Sequence, residues 1–475
     1  MSEVVVLGAG PTGVTAAMLL AAEGHRVTLL ERDSGAPVGG AEEIVAGWRR
    51  PGVNQFRQPH ALLPRVREVL EQELPAVLEE ITALGARPHN MITGAQALPA
   101  IGGPRPGDSR YDTVRARRAL LEAALGAVAA RTPGLTVRRG VTVTALVPGA
   151  ERLPGRPHVS GVLTQQGETL PADLVVDAGG RNSPMTKLLG ALGGPRPHEE
   201  RAEDGFLFYG RHFRARDGVL PGPLDWQGFQ HPTLAVLPVP GDGDTWGIYF
   251  AVSPRDSAMR ALKEPEVWDR AIALFPAVAH WSAGERITDV MVMAGTESRR
   301  RSLVVDGIPV ATGVISVGDA WATTNPIFGM GTAMGLVHAQ LLREAARDVG
   351  LDDPEKLAQR FDEDTDSALM PYYRLLQGWD ANRLAEIDAE MRGERYTAGD
   401  ETWAIATALD AAKLTDPELL RALADLGSVL ATPDEVLGRP GLVEKIVAAG
   451  QDVPRFPTPG PTRAELLAAV GREEH

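Results

Sequence analysis

The chain contains no cysteine. That single absence removes dithiol redox couples, thiolate zinc sites, iron–sulfur clusters and thiol nucleophiles together. Any redox chemistry must then be carried by a bound cofactor. Lysine is scarce as well, occurring only as Lys187, Lys263, Lys356, Lys413 and Lys445. Long apolar runs are missing: stretches such as residues 14–22 fall far short of the ~20 residues that span a bilayer. So is a basic surplus, because 48 Lys and Arg face 62 Asp and Glu for a net charge of −14. Such a surface repels phosphate backbones and anionic lipid, so neither nucleic acid nor membrane is expected as a partner. The opening Met1-Ser2-Glu3 has no charged leader and no cleavage site, which predicts a cytoplasmic protein. No histidine or carboxylate cluster has metal-ligand spacing, so no metal is expected.

What is present is ordinary for a globular enzyme: 475 residues, 44% hydrophobic and 23% charged, enough for two or three domains. Residues 3–7 read as a buried strand, 8–13 as a glycine turn, 11–24 as a helix with a glycine stop, and 26–31 as a second strand. This is a βαβ unit at the start of the chain. Residues 60–84 read as an amphipathic helix interrupted at Pro64 and Pro75, and 113–130 as another helix. Residues 135–147, 159–164 and 174–178 read as strands that extend the first sheet or form a meander against it. Between 205 and 295 aromatics cluster and strand-like segments alternate with Pro/Gly turns. A buried strand at 314–318 precedes a helix from about Gly331 to Val349, and the rest is charged and helical.

Gly8-Ala9-Gly10-Pro11-Thr12-Gly13 is a complete G-x-G-x-x-G. Gly8 permits the tight turn out of the strand, Gly10 lets backbone approach a pyrophosphate, and Gly13 lets helix and sheet pack closely. The pyrophosphate then lies against the helix N-terminus. Glu31 ends the second strand where a carboxylate can accept from both ribose hydroxyls of an adenosine. Strand, turn, helix, strand and acid in that order point to a dinucleotide, with FAD and NAD both open. The later segment Val317-Gly318-Asp319-Ala320, followed by Asn325-Pro326 and Gly329-Met330-Gly331, favours flavin. Asp319 at a strand tip can accept from a polyol such as a ribityl chain, and a helix opening at the glycines aims its positive end at a reduced flavin.

Together these motifs, with Glu31-Arg32, resemble the para-hydroxybenzoate hydroxylase-like FAD monooxygenases. The likeness is nearest to the bacterial natural-product group that includes polyether epoxidases and geranylgeranyl reductase-like enzymes. Gln58-Pro59-His60-Ala61-Leu62-Leu63 is similar to a helix start in that group, and Arg118-Ala119-Leu120-Leu121-Glu122 to its motif of an arginine that reaches the FAD. The resemblance covers roughly residues 1–343. It implies an α/β fold in which a Rossmann-like FAD-binding domain is split over residues 1–204 and 298–350. A sheet-rich substrate domain (205–297) is inserted, and a helical C-terminal region (351–475) follows. Many members carry a mid-chain Asp-Gly that touches FAD and the nicotinamide donor. Here the segment is expanded to Asp177-Ala178-Gly179-Gly180-Arg181-Asn182-Ser183, so NADPH or NADH is expected to reduce the flavin directly or through a partner flavin reductase.

The expected cofactor-binding set is Gly8, Gly10, Gly13, Glu31, Arg32, Arg118, Val143, Asp319, Gly329, Met330 and Gly331. Arg115 competes with Arg118, Arg32 is either a surface charge or lies over adenine, and Val143 is either core or offers backbone to the adenine edge. Phe206, Phe208, Trp226, Phe229, His231 and Trp246 are candidates for a substrate pocket, in a texture that also holds His212. No catalytic residue is identified; His60 and Pro326 are the nearest candidates on the flavin side. The activity implied is insertion of one oxygen atom from O2, by hydroxylation or epoxidation through a flavin C4a-hydroperoxide, into a small, largely apolar natural product. The alternatives are a flavin-dependent reductase of isoprenoid double bonds, a flavin halogenase and a non-catalytic flavin binder. Halogenases need a lysine in the N-terminal half and a Trp-x-Trp-x-Ile-Pro segment, and the first lysine here is Lys187.

Overall fold

The computed structural model describes residues 1–58, 60–222, 224–399 and 401–471. Pro59 of the Gln58-to-Leu63 segment and the final residues of the expected C-terminal region lie outside them. Its first sheet has five parallel strands in the order Val314–Ser316, Leu174–Asp177, Glu3–Leu7, Arg26–Glu31 and Leu135–Arg139. Side chains alternate across it as the period of two requires. Val4, Val6, Val27, Leu29 and Val176 point into one core with the helices Pro11–Ala22, Arg118–Ala129 and Met330–Val349. Val5, Leu7, Leu30 and Val175 point into the other, under a meander of Val143–Pro148, Val159–Thr164 and Thr169–Pro171. Both faces are covered, which is why these strands read as continuous apolar runs.

Strand Val314–Ser316 arrives from a distant part of the chain and is locked in place by a close approach. Thr12 sits so near Gly318 and Gly335 that a Cβ on either would collide with its side chain. The first helix and the helix Met330–Val349 therefore meet almost backbone to backbone.

A second sheet is antiparallel, in the order Phe229–Gln230, Leu234–Pro240, Thr245–Val252, Leu207–Arg214 and Glu285–Arg286, with Met291–Met293 also beside Leu207–Arg214. One face is a dry aromatic core of Phe213, Trp246, Phe250, Trp268 and Phe275. The other presents Phe206, Phe208, Leu237, Tyr249 and Met293, partly covered by Leu384 and Ile387 of helix Met370–Met391. Beyond residue 350 the described chain is helical, and helices Glu401–Ala412, Pro417–Gly427 and Leu442–Gln451 share a small core of their own.

Several expected elements differ. Residues 60–63 lie outside any helix, and the helix expected there is two, Pro64–Glu73 and Pro75–Ala83, each opened by its proline. The helix expected from residue 113 begins at Arg118, because Asp112–Arg115 pairs with Arg87–Asn90 as a strand. Among the described residues, no helix is long and apolar enough to cross a membrane.

Candidate cofactor and substrate site

The glycine turn links the strand Glu3–Leu7 to the helix Pro11–Ala22. Gly8 has φ of +105°, and a Cβ there would lie 2.5 Å from the carbonyl oxygen of Ala178. Only glycine fits that combination. A Cβ on Gly13 would strike the Gly8 carbonyl, so helix and turn pack without a gap. Gly10 differs: nothing lies within 4 Å of where its Cβ would be, and it faces a cavity. The helix it precedes has no side-chain cap and no acid in its first turn. Its N–H groups and positive dipole end are left for an anion.

Two compartments, of about 290 and 260 Å³, share Gly10, Arg118, Ala178, Met293, Asp319 and Pro326 as walls and so adjoin each other. The smaller is lined by Glu31, Arg32, Arg50, Val143 and the turn at residues 177–182. Glu31 is buried; its Oε2 accepts from the Ala9 N–H at 2.9 Å and from Arg50, and its Oε1 from the Asp33 N–H at 2.9 Å. Arg32 donates to the Gly52 carbonyl at 3.1 Å along the same wall. Arg50 is enclosed by Glu31, Glu122 and Asp33 and also donates to the Ala9 carbonyl.

Arg118 stands where the compartments meet. Its Nε donates to Glu122 at 2.6 Å and its Nη1 to His60 Nε2 at 3.0 Å. Because an arginine can only donate, His60 Nε2 accepts, and the ring proton sits on Nδ1, 3.3 Å from the Gln58 carbonyl. Both ring nitrogens are occupied, so the geometry makes His60 a support for Arg118. Arg115 lines neither compartment.

Asp319 lies at the same junction, and its carboxylate makes no hydrogen bond to any described residue. Burial raises its pKa against the pull of Arg118 and Arg181. Helix Met330–Val349 opens beside it with Gly329 in the left-handed region (φ +68°) and again without a side-chain cap. Gly329, Gly331 and Thr332 line the larger compartment, whereas the Met330 side chain turns into the core. An acceptor-only carboxylate with no protein donor, between two uncapped helix starts, fits a ligand that offers hydroxyls between two electron-rich ends. FAD has that pattern, with pyrophosphate, ribityl chain and flavin ring in order.

The larger compartment continues over the open face of the second sheet, past Phe208, Leu237 and Tyr249, to Trp226 and Asp410. Phe208 and Trp226 thus stand where a pocket was expected, and Pro326 lies at its entrance. Phe206, Phe229, His231 and Trp246 do not line it. Phe229 and Trp246 belong to the opposite, dry face of the sheet, and Trp246 donates to the Trp281 carbonyl at 3.0 Å. Phe206 packs under Trp379, and His231 packs against Phe275. A strand period of two puts neighbouring aromatics on opposite faces, and the sequence texture alone did not say which face was open. His212 is buried beside Tyr249, and burial lowers its pKa to about 4. No metal-ligand cluster occurs among the described residues. Sequence reasoning missed Arg50, Gln55, Met293 and Asp410, which sit in segments without a motif.

Residues 3–84 match the family described as FAD dependent oxidoreductase, so the chain carries an FAD-dependent oxidoreductase domain. Protein Rv3254 of Mycobacterium tuberculosis is 29% identical over 361 residues, covering 72% of each chain. The fold is similar to the flavin-dependent brominase Bmp2, with a TM-score of 0.63 at 17% identity over 95% of this chain and 99% of that one. It is also similar to PqsL, a probable FAD-dependent monooxygenase from Pseudomonas aeruginosa, with a TM-score of 0.58 at 17% identity over 82% and 98%. At such identities the likeness to the two structures is one of fold.

Proposed function

We propose that the chain is an FAD-dependent monooxygenase of the para-hydroxybenzoate hydroxylase-like type, which inserts one oxygen atom from O2 into a small, largely apolar natural product. The observation that carries this reading is the adjacency of the two compartments. The smaller one borders, across Asp319 and Pro326, a chamber walled by Phe208, Leu237, Tyr249 and Phe328. When bound, FAD supplies the two-electron redox centre and the activation of O2.

The chain's own residues bind, orient and exclude water. Gly10 and the start of helix Pro11–Ala22 would hold the pyrophosphate. Glu31 would accept from the ribose and Asp319 from the ribityl hydroxyls. The uncapped start of helix Met330–Val349 offers N–H groups that would stabilise negative charge on the reduced cofactor. The apolar walls keep the chamber dry and hold the substrate in register. Electrons come from NADPH or NADH, directly or through a flavin reductase. The partner route is supported by Asp177, whose carboxylate is spent inside the protein on the Gly179 N–H at 3.0 Å, Ser183 at 2.7 Å and Ser316 at 3.1 Å. Halogenation is not proposed, since no lysine lines either compartment and Lys187 is exposed on helix Met185–Gly190.

The test is anaerobic reduction of the purified protein by NADPH or NADH, with and without a flavin reductase, followed by ¹⁸O2 and a panel of phenols and alkenes. Label in a hydroxylated or epoxidised product supports the reading. Halide-dependent substitution, or saturation of an alkene without O2, sinks it.

A further inference from the structure

The chamber is longer than its cofactor end requires. Five adjacent strands line it, through Met293, Phe208, Tyr249, Leu237 with Val239, and Gln230 in that order. Four inter-strand steps of about 4.8 Å make that floor about 19 Å wide. Met293 also borders the cofactor compartment, so Gln230 marks the far end.

The chemistry changes along this length. The middle is apolar, whereas the far end carries Gln230 and Asp410, roofed by helices Glu401–Ala412 and Pro417–Gly427. The Oε1 of Gln230 is buried without a hydrogen-bond partner. A buried acceptor left unsatisfied is destabilising unless something donates to it. Asp410 adds a second acceptor, but its charge is already matched by Lys413 at 2.8 Å and Arg455 at 3.4 Å. Arg383 is buried nearby and shares Glu386 with Arg455. The surroundings therefore hold three cations against two carboxylates. An ammonium group would meet that surplus unfavourably, and an anion would face Asp410. A neutral hydroxyl has one O–H to donate, which the unpartnered Gln230 Oε1 can accept, and it brings no charge of its own.

We propose that the far end of the chamber is a second subsite, built by Gln230 and Asp410, which takes the hydroxyl-bearing end of an elongated and otherwise apolar substrate. The subsite deepens the monooxygenase reading and rests on it for the meaning of the word substrate. The apolar portion lies on Phe208, Tyr249 and Leu237, and the oxidised end faces Pro326 and Met293.

Calorimetric titration of the FAD-loaded protein tests this with 4-alkylphenols of increasing chain length, carrying either a methyl or a hydroxyl at the chain's far end. At the length that spans the floor, the hydroxyl form is expected to bind roughly three- to tenfold more tightly, the worth of one satisfied hydrogen bond. Gln230→Leu removes no protein–protein hydrogen bond of the unpartnered Oε1. It is expected to abolish the preference while leaving the methyl-terminated ligand's Kd unchanged. Gln230→Met, closer to glutamine in shape, gives an independent second reading and should abolish the preference likewise. No preference in the parent protein, a preference that survives Gln230→Leu, or no saturable binding by any member of the series overturns the subsite. Hydroxyl preference without ¹⁸O in any product would remove the monooxygenase reading and leave the subsite standing. Oxygen transfer without the preference does the reverse.

Discussion

Arg50 forms a buried ion pair with Glu31, the carboxylate at the end of the second strand. The pair fixes the carboxylate's direction: Oε2 is turned to Arg50 and the Ala9 N–H, which leaves further lone pairs toward the small compartment. Glu31→Ala is expected to weaken FAD binding by roughly 10- to 150-fold, the loss of charge-assisted hydrogen bonds worth about 1.5–3 kcal/mol. Arg50→Ala should lower thermal stability as well, because Glu31 and Glu122 lose a shared buried cation, a loss of about 3–5 kcal/mol. Flavin fluorescence titration and melting curves check both. Unchanged FAD affinity in the two variants would move the ribose contact elsewhere.

Asp319 gives the sharpest contrast between a ligand contact and a structural role. It makes no hydrogen bond to the described protein, so Asp319→Asn removes none and relieves a buried acid. The apoprotein should melt no lower than the parent, while FAD affinity falls at least tenfold, about 1.4 kcal/mol. A variant that melts several degrees lower and still binds FAD normally would make Asp319 structural.

Asp380 on helix Met370–Met391 accepts from the Asn325 side-chain amide at 2.8 Å and from Ser298 at 3.2 Å, tying the Asn325-Pro326 turn to the C-terminal helices. Burial raises its pKa to about 7, opposed by those two hydrogen bonds. The unfolded chain releases this proton near pH 4, so between about pH 4 and 7 the folded protein binds more protons than the unfolded one. The contribution of Asp380 to stability is therefore full at low pH and lost as pH rises toward 7. Asp380→Asn cannot ionise and should melt above the parent at pH 8, by on the order of 1–4 kcal/mol, with the gap closing near pH 5. Equal pH profiles for the two proteins would refute the assignment.

The cofactor should be held without a covalent bond, since the chain has no cysteine for a thioether and His60 has both ring nitrogens engaged. Acid precipitation is expected to leave FAD in the supernatant. Yellow colour in the pellet, or FMN in the supernatant, would count against it.

How far the site could be read from the sequence differs residue by residue. Gly8, Gly10, Gly13, Glu31 and Asp319 were legible because each is tied to a strand end, where backbone geometry leaves few choices of residue. Arg50 was not, since it reaches Glu31 and Glu122 from an irregular segment with no period to follow. Nor was the division of the aromatics: Phe208 and Trp246 occupy similar strand patterns, and only the packing of Trp268 and Phe275 on one face shows which side is closed. Asp410 entered the chamber wall from a helix beyond the reach of every motif.

The wedge of Thr12 between Gly318 and Gly335 sets a timetable for biosynthesis. The glycine turn at residues 8–13 has no finished wall until more than three hundred further residues have emerged from the ribosome. Contacts so distant in sequence close slowly and only after the loop entropy between them has been overcome. Until the helix Met330–Val349 has been made, the nascent chain carries its glycine turn as an unfinished surface.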